Sequence, residues 1–235
     1  MLPLSSPASS LDFSAERRTM VDCQVRTFDV TDQPLIARML DIPRERFLPD
    51  HLASIAYCDK ALDVGDAQGE RRRLLPPMIL ARLLQAASVR PQDKALDVAG
   101  GGGYSAAILA GLAESVMAVE CSEELTTSAE KRFAGLGMTN AQAATGSLTD
   151  AAGEEGPFDV ILVNGAVETG LERLLSLLAD GGRLVTIQRA ADDVTGLAAR
   201  AVRWQRSSEG FGLRPLFNAS APLLQAFARK KEFAF

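Results

Sequence analysis

Two acids, Asp97 and Glu120, stand where this 235-residue chain has the residue types and spacing for a ligand site. Asp97 lies inside a short apolar run, Ala95 to Ala99, of the kind that forms a buried parallel strand. Four consecutive glycines, Gly100 to Gly103, follow it and let the backbone turn tightly with no Cβ between it and a neighbour. Tyr104 to Ala110 is rich in Ala and Leu and predicts a helix. Glu120 closes the next apolar run, Val116 to Cys121, where an acid can accept hydrogen bonds from both hydroxyls of a ribose. Strand, glycine turn and helix, then an acid at the next strand end, point to a nucleoside-type ligand at the carboxyl end of an open α/β sheet.

Two such ligands compete. Gly101 to Ala106 satisfies the dinucleotide pattern G-x-G-x-x-A, which would make the chain a nicotinamide-dependent oxidoreductase. S-adenosylmethionine has no pyrophosphate and needs no turn shaped for one. The late position of the glycine turn favours S-adenosylmethionine, as does a chain too short for a second mononucleotide half plus a substrate domain. Asp97 favours it too, as a group that can help hold the methionine amino group.

The elements that must position these residues read as follows. Residues 1–12 are a Ser- and Pro-rich tail, and 13–90 a helical segment ending in a substrate-side loop. The periodicity predicts a helix over 13–30 and a second one capped by Thr31 or Asp32, with Pro34 in its first turn. Val64 to Arg73 is polar and Gly-containing and predicts a surface loop; a helix follows over 74–84. From residue 91 to 235, strands and helices alternate. Ser122 is placed to cap a helix that Gly135 and Gly137 stop. Strands are expected at 141–145, 158–164 and 183–188, with a helix over 171–178 closed by Gly181 and Gly182. Two edge strands are expected at 202–204 and 213–217. The fold class is α/β: a Rossmann-like, doubly wound seven-strand sheet with an N-terminal helical segment packed on it as one domain.

A net charge of −5 and a pI near 5.1 argue against nucleic acid or an acidic membrane surface as partner. Cys23, Cys58 and Cys121 are far apart, which argues for reduced thiols in the cytoplasm rather than a disulfide framework or metal site. No signal peptide or transmembrane run is evident. The lone histidine, His51, has no clustered Cys or acid around it and is read as a surface or packing residue.

Across nearly the whole chain, from about Met20 to Phe217, the sequence resembles the protein-L-isoaspartate O-methyltransferase family. The resemblance rests on Met20-Val-x-x-Gln24, Pro43-Arg44-Glu45-x-Phe47-x-Pro49, Ala56-Tyr57-x-Asp59 and the turn motif Leu96 to Tyr104. It continues through Val119-Glu120, Leu136-Gly137, Gly146, Phe158-Asp159-x-Ile161 and Gly181 to Val185. It implies S-adenosylmethionine as cofactor and, as substrate, a protein or peptide carrying isoaspartyl residues, whose carboxylate takes the methyl group. The cofactor residues so implied are Asp97, Ala99, Gly100, Gly101, Gly103, Glu120, Ser147 and Asn164, with no metal.

Three positions depart from the family pattern. The family loop G-Q-T-I-S-Q-P carries a serine against the substrate carboxylate; here Gln68 begins the matching run and Leu75 falls at the serine. Leucine offers no hydrogen bond, so no catalytic residue is assigned. Ala99 replaces the first glycine of the turn, and Ser147 replaces the acid that would accept from the adenine amino group. These changes imply either a different substrate, with Arg71, Arg72 and Arg73 as anion contacts at the mouth or plain solvated loop charge, or loss of methyl transfer.

Overall fold

A computed structural model of the chain describes residues 12–67, 70–154, 156–189 and 199–229. Helix α1, Ser14–Met20, widens into a π turn over Val21–Val25 and tightens into a 3₁₀ turn over Arg26–Phe28. The region expected as one helix is thus helical from Ser14 to Phe28, with three hydrogen-bond patterns in succession, and is stopped by Asp29 at φ +61°. Helix α2, Gln33–Asp41, is capped by Asp32, whose carboxylate accepts from the Leu35 N–H at 3.1 Å.

The polar stretch expected as a surface loop is instead an antiparallel hairpin, β1 (Leu62–Ala67) with β2 (Glu70–Leu74). The reason is an alternation that is easy to miss. Leu62 and Leu74 face inward as a strand pattern requires, and the inward position between them on β2 is filled by an arginine, Arg72, only 1% exposed. Helix α3 (Pro77–Ala87) therefore starts three residues later than expected, after β2 has ended.

The main sheet follows: β3 (Lys94–Val98), α4 (Tyr104–Leu109), β4 (Ser115–Glu120), α5 (Glu123–Gly135), β5 (Ala141–Thr145), β6 (Phe158–Val167), α6 (Glu172–Ser176), β7 (Leu178–Arg189), β8 (Ala199–Ser207) and β9 (Gly210–Asn218). Strand order is β5-β4-β3-β6-β7-β8-β9; the first five are parallel, and β8 and β9 add an antiparallel edge. The chain steps outward from β3 to β5, then crosses back to lay β6 on the other side of β3. In open α/β sheets such a reversal marks where a ligand crevice lies, here at the carboxyl ends of β3 and its neighbours.

Two expected details are corrected. Ser122 precedes α5, but its side chain makes no capping bond. Gly181 and Gly182 close no helix: α6 ends at Ser176, and the pair lies inside β7, where pairing jumps from Phe158↔Leu178 to Val160↔Arg183. Arg183 then closes α3 from outside, donating to the Ala87 and Ser88 carbonyls and pairing with Asp93.

Alternate residues of the central strands divide the core. Ala95, Val160 and Leu162 join Met20, Phe47, Leu80 and Tyr104 on one face, so the N-terminal segment is packed directly on the sheet. Leu96, Ile161 and Val163 join Leu148, Leu174 and Phe227 on the other. No helix among the described residues is long and apolar enough to cross a membrane.

Candidate functional site

The crevice floor is built from Asp97, Asn164 and Ser105. Asp97 is wholly buried in β3; its Oδ2 accepts from the Ser105 hydroxyl at 2.8 Å and its Oδ1 from the Asn164 amide at 2.7 Å. Asn164 reaches it because β6 breaks register with β7 there, pairing skipping from Leu162 to Ala166. The same amide donates to the Val98 carbonyl at 3.1 Å. Burial raises the Asp97 pKa to about 7, against the hydrogen bonds from Asn164 and Ser105, which favour the charged form; the Glu120 charge adds to the rise.

The glycine turn is shaped by the protein's own side chains. A Cβ on Gly100 would lie 2.3 Å from Asp97 Oδ2, so only glycine lets that carboxylate fold back beneath the turn. At Gly101, with φ +65°, a Cβ would meet Val64 of β1 at 2.7 Å. Gly103 leads into α4 and is covered by the Phe133 ring of α5. Ala99 takes φ +60°, a left-handed conformation that costs an alanine about 1–2 kcal/mol, and its methyl is buried in the second apolar cluster.

Glu120, at the end of β4, is 3% exposed. Its Oε1 accepts from the Gly101 N–H at 2.6 Å, and its Oε2 from Arg72 Nε at 3.0 Å. Arg72 Nη2 also lies 3.1 Å from Cys121 Sγ. Burial pushes the Glu120 carboxyl upward, with Arg72 and the Gly101 N–H pulling against it. The role left open for Arg72 at the mouth or in a solvated loop is therefore corrected: it is inside, in an ion pair. Arg73 points the other way, half-exposed, to Asp63 at 2.7 Å. The side chains of Arg71 and Gln68 lie outside the described structure.

Ser147 is exposed and shares a 3.1 Å hydrogen bond with Thr149; the Gly146 N–H just before it donates to the Glu120 carbonyl at 2.8 Å. Leu75, at the family-serine position, is 2% exposed, and its backbone carbonyl accepts from Arg44 at 2.9 Å. His51 is exposed. Among the described residues no group of three or more His, Cys, Asp or Glu is placed to hold a metal.

The specific sequence motifs are tied to the glycine turn and to the helix that follows it. Arg44 is fully buried, donates to Ala56 O at 2.8 Å and stacks over Tyr104 at 4.8 Å. Tyr57 donates to Glu45 and accepts from Arg17 at 2.8 Å. Arg132 of α5 ties segment 43–49 to the turn, donating to Gly102 O at 3.0 Å and to Arg46 O at 2.9 Å. Sequence reasoning missed one element altogether: residues 222–227 cross the end of β6, with Ala166 N–H donating to Pro222 O at 2.8 Å and Leu224 seated on Gly165.

The residue types are those a ribose and a methionine amino group call for. Each oxygen of Glu120 and of Asp97 accepts one bond from a protein donor and keeps a lone pair for another. The obstacle to an S-adenosyl nucleoside, as folded here, is space: Val64 lies over Gly101 and the Arg72 guanidinium lies against Glu120.

The model of the family "Protein-L-isoaspartate(D-aspartate) O-methyltransferase" matches residues 16–199. A protein-L-isoaspartate O-methyltransferase of Koribacter versatilis is 38% identical over 173 residues, 74% of this chain and 76% of the relative. A solved protein-L-isoaspartate O-methyltransferase superposes with TM-score 0.75 at 22% identity, over 88% of this chain and 65% of that longer one. A putative homologue from Plasmodium falciparum, solved with S-adenosyl-L-homocysteine, superposes with TM-score 0.73 at 17% identity, over 92% and 99%. At such identities the two structures speak for the fold alone, and the family match sets aside the dinucleotide reading. The chain belongs to the protein-L-isoaspartate O-methyltransferase family, whose members use S-adenosylmethionine.

Proposed function

We propose that the protein is a carboxyl O-methyltransferase acting on isoaspartyl carboxylates of damaged proteins or peptides. The observation that carries this reading is that the family's motif segments are joined around the glycine turn. Segments 43–49 and 56–59 and the glycine turn are tied together there by Arg44 and Arg132. The acceptor calls for no catalytic base: a carboxylate with a pKa of about 4 is already ionised at neutral pH and needs no proton removed. The spacing of the three cysteines supports a reducing compartment, which we take to be the cytoplasm.

Transfer of labelled methyl groups to an isoaspartyl peptide, with the same peptide carrying ordinary aspartate as control, tests the proposal. Label entering the isoaspartyl peptide alone, as a base-labile ester, is the expected result. A second reading, a family member that keeps the fold without methyl transfer, is favoured by Leu75, whose side chain is in the core at the position of the family's serine. Label in neither peptide, from protein shown to be folded, would select it.

A further inference from the structure

The hairpin of β1 and β2 forms a sheet of its own, with no strand pairing to the seven-stranded sheet it covers. Among the described residues, side chains join it to the crevice. Val64 from β1 and Leu74 from β2 lie over Gly101, where an added Cβ would meet them at 2.7 and 3.5 Å. Arg72 passes beneath them and donates to Glu120 Oε2 at 3.0 Å, almost without exposure to solvent. Glu120 is the acid whose place at the end of β4 suits it to a ribose diol, and a diol would need both of its oxygens. Each oxygen could take a second donor besides the Gly101 N–H and Arg72, but the place beside Oε2 is filled by the guanidinium itself, which is charged at every working pH.

We infer that Arg72 occupies the seat of the nucleoside ribose, so that the 62–74 hairpin closes the crevice from within and an S-adenosyl nucleoside enters only when the hairpin withdraws. This rests on reading the crevice as the family's donor site. The hairpin is suited to the movement. A two-stranded ribbon is marginally stable by itself, and lifting it breaks no pairing in the main sheet. A closed majority state lowers apparent affinity by the fraction of molecules that are open. Removing Arg72 raises that fraction and also clears the carboxylate.

The test is calorimetric titration of the full-length protein with S-adenosyl-L-homocysteine, comparing wild type with R72Q. The expected result is binding to R72Q at least about tenfold tighter than to wild type. In wild type held saturated with the nucleoside, backbone amides of 62–74 should exchange faster with deuterium than in the free protein. Equal affinity in the two proteins overturns the inference, whether both bind or neither does. So does a co-structure in which Arg72 still contacts Glu120 beside the bound nucleoside. Should R72Q fail to fold, V64A loosens the hairpin without touching the ion pair: tighter binding upholds the inference and unchanged binding overturns it. R72Q that binds the nucleoside more tightly, alongside wild type that methylates no isoaspartyl peptide, leaves the inference standing and removes the proposed activity. Wild type that binds as tightly as R72Q and methylates does the reverse.

Discussion

The Arg72–Glu120 pair makes a sharp prediction about stability that is separate from any ligand. Side chains 1% and 4% exposed meet at 3.0 Å, so the pair is a desolvated one, not a surface bridge. Breaking such a pair by removing one partner leaves a buried charge uncompensated and costs about 3–5 kcal/mol. R72M should therefore lose about that much. E120Q, which strands the arginine, should lose a similar amount. The double variant R72M/E120Q carries no buried charge at this place. Its introduced glutamine can still accept from the Gly101 N–H, and its cost is about 1–3 kcal/mol for one unpaired amide donor. Adding E120Q to R72M should accordingly restore stability, a coupling of several kcal/mol in a double-mutant cycle. Urea denaturation at 15 °C measures all four proteins, and an unchanged slope shows that the unfolded reference has not moved. Salt at 1 M should leave the coupling largely intact, because a buried pair is poorly screened. If R72M costs under about 1 kcal/mol, or the two single losses simply add, the guanidinium is not seated on Glu120 and the closed crevice falls with it.

Asp97 predicts a pH dependence. Its folded-state pKa, about 7 against an ordinary 3.8, means that the unfolded chain ionises first. The native state is thus unpenalised below about pH 4 and loses ground as pH rises toward 7, by about 4 kcal/mol in all. D97N should gain on wild type by that amount over this interval in denaturation series, and a pH-independent difference would contradict the burial argument. At Ala99, A99G relieves a left-handed alanine worth about 1–2 kcal/mol and forfeits a buried methyl worth about 0.8 kcal/mol. Melting curves should place A99G within about 1 kcal/mol of wild type. L75S buries a hydroxyl in the core and should destabilise by about 2–4 kcal/mol. It should also bring no gain in methyl transfer to an isoaspartyl peptide; a gain would show that position 75 can face the acceptor.

The central sheet was legible because its signals are local. Apolar runs such as 158–164 have the right length, and glycines punctuate them at strand ends. The acids Asp97 and Glu120 were legible for the same reason: each is bracketed by a run that fixes which strand it belongs to. The hairpin was not, because its inward alternation passes through Arg72, a residue whose charge reads as solvent-facing until a carboxylate 48 positions away is brought beside it. Gly181 and Gly182 misled for a related reason. Gly-Gly after a helical pattern is a stop signal, and nothing local distinguishes a helix end from a four-residue excursion that re-enters a strand. Segment 222–227 has no periodic signature, and its place is set by backbone pairing with β6, which only the fold supplies.

A glycine-rich turn is commonly taken as the imprint of a ligand, since a backbone without Cβ atoms lets a phosphate or ribose approach. In this chain the same absence of Cβ atoms is explained by close neighbours inside the protein: Asp97 beneath Gly100, Val64 over Gly101, Phe133 over Gly103. The motif therefore does not by itself distinguish a turn kept open for a nucleoside from one kept open for side chains. What distinguishes them is Glu120. A carboxylate buried at the end of a strand is costly unless something pairs with it, and an acid serving only the Gly101 N–H could be replaced there by a neutral acceptor at less cost. Its pairing with an arginine from a hairpin that shares no strand pairing with the main sheet leaves a charged seat that a competing donor can take over once the hairpin lifts. In a turn closed for good, an apolar pair would hold the hairpin as well or better. The ion pair is thus a feature expected of a crevice that still opens, and the affinity difference between wild type and R72Q measures how far.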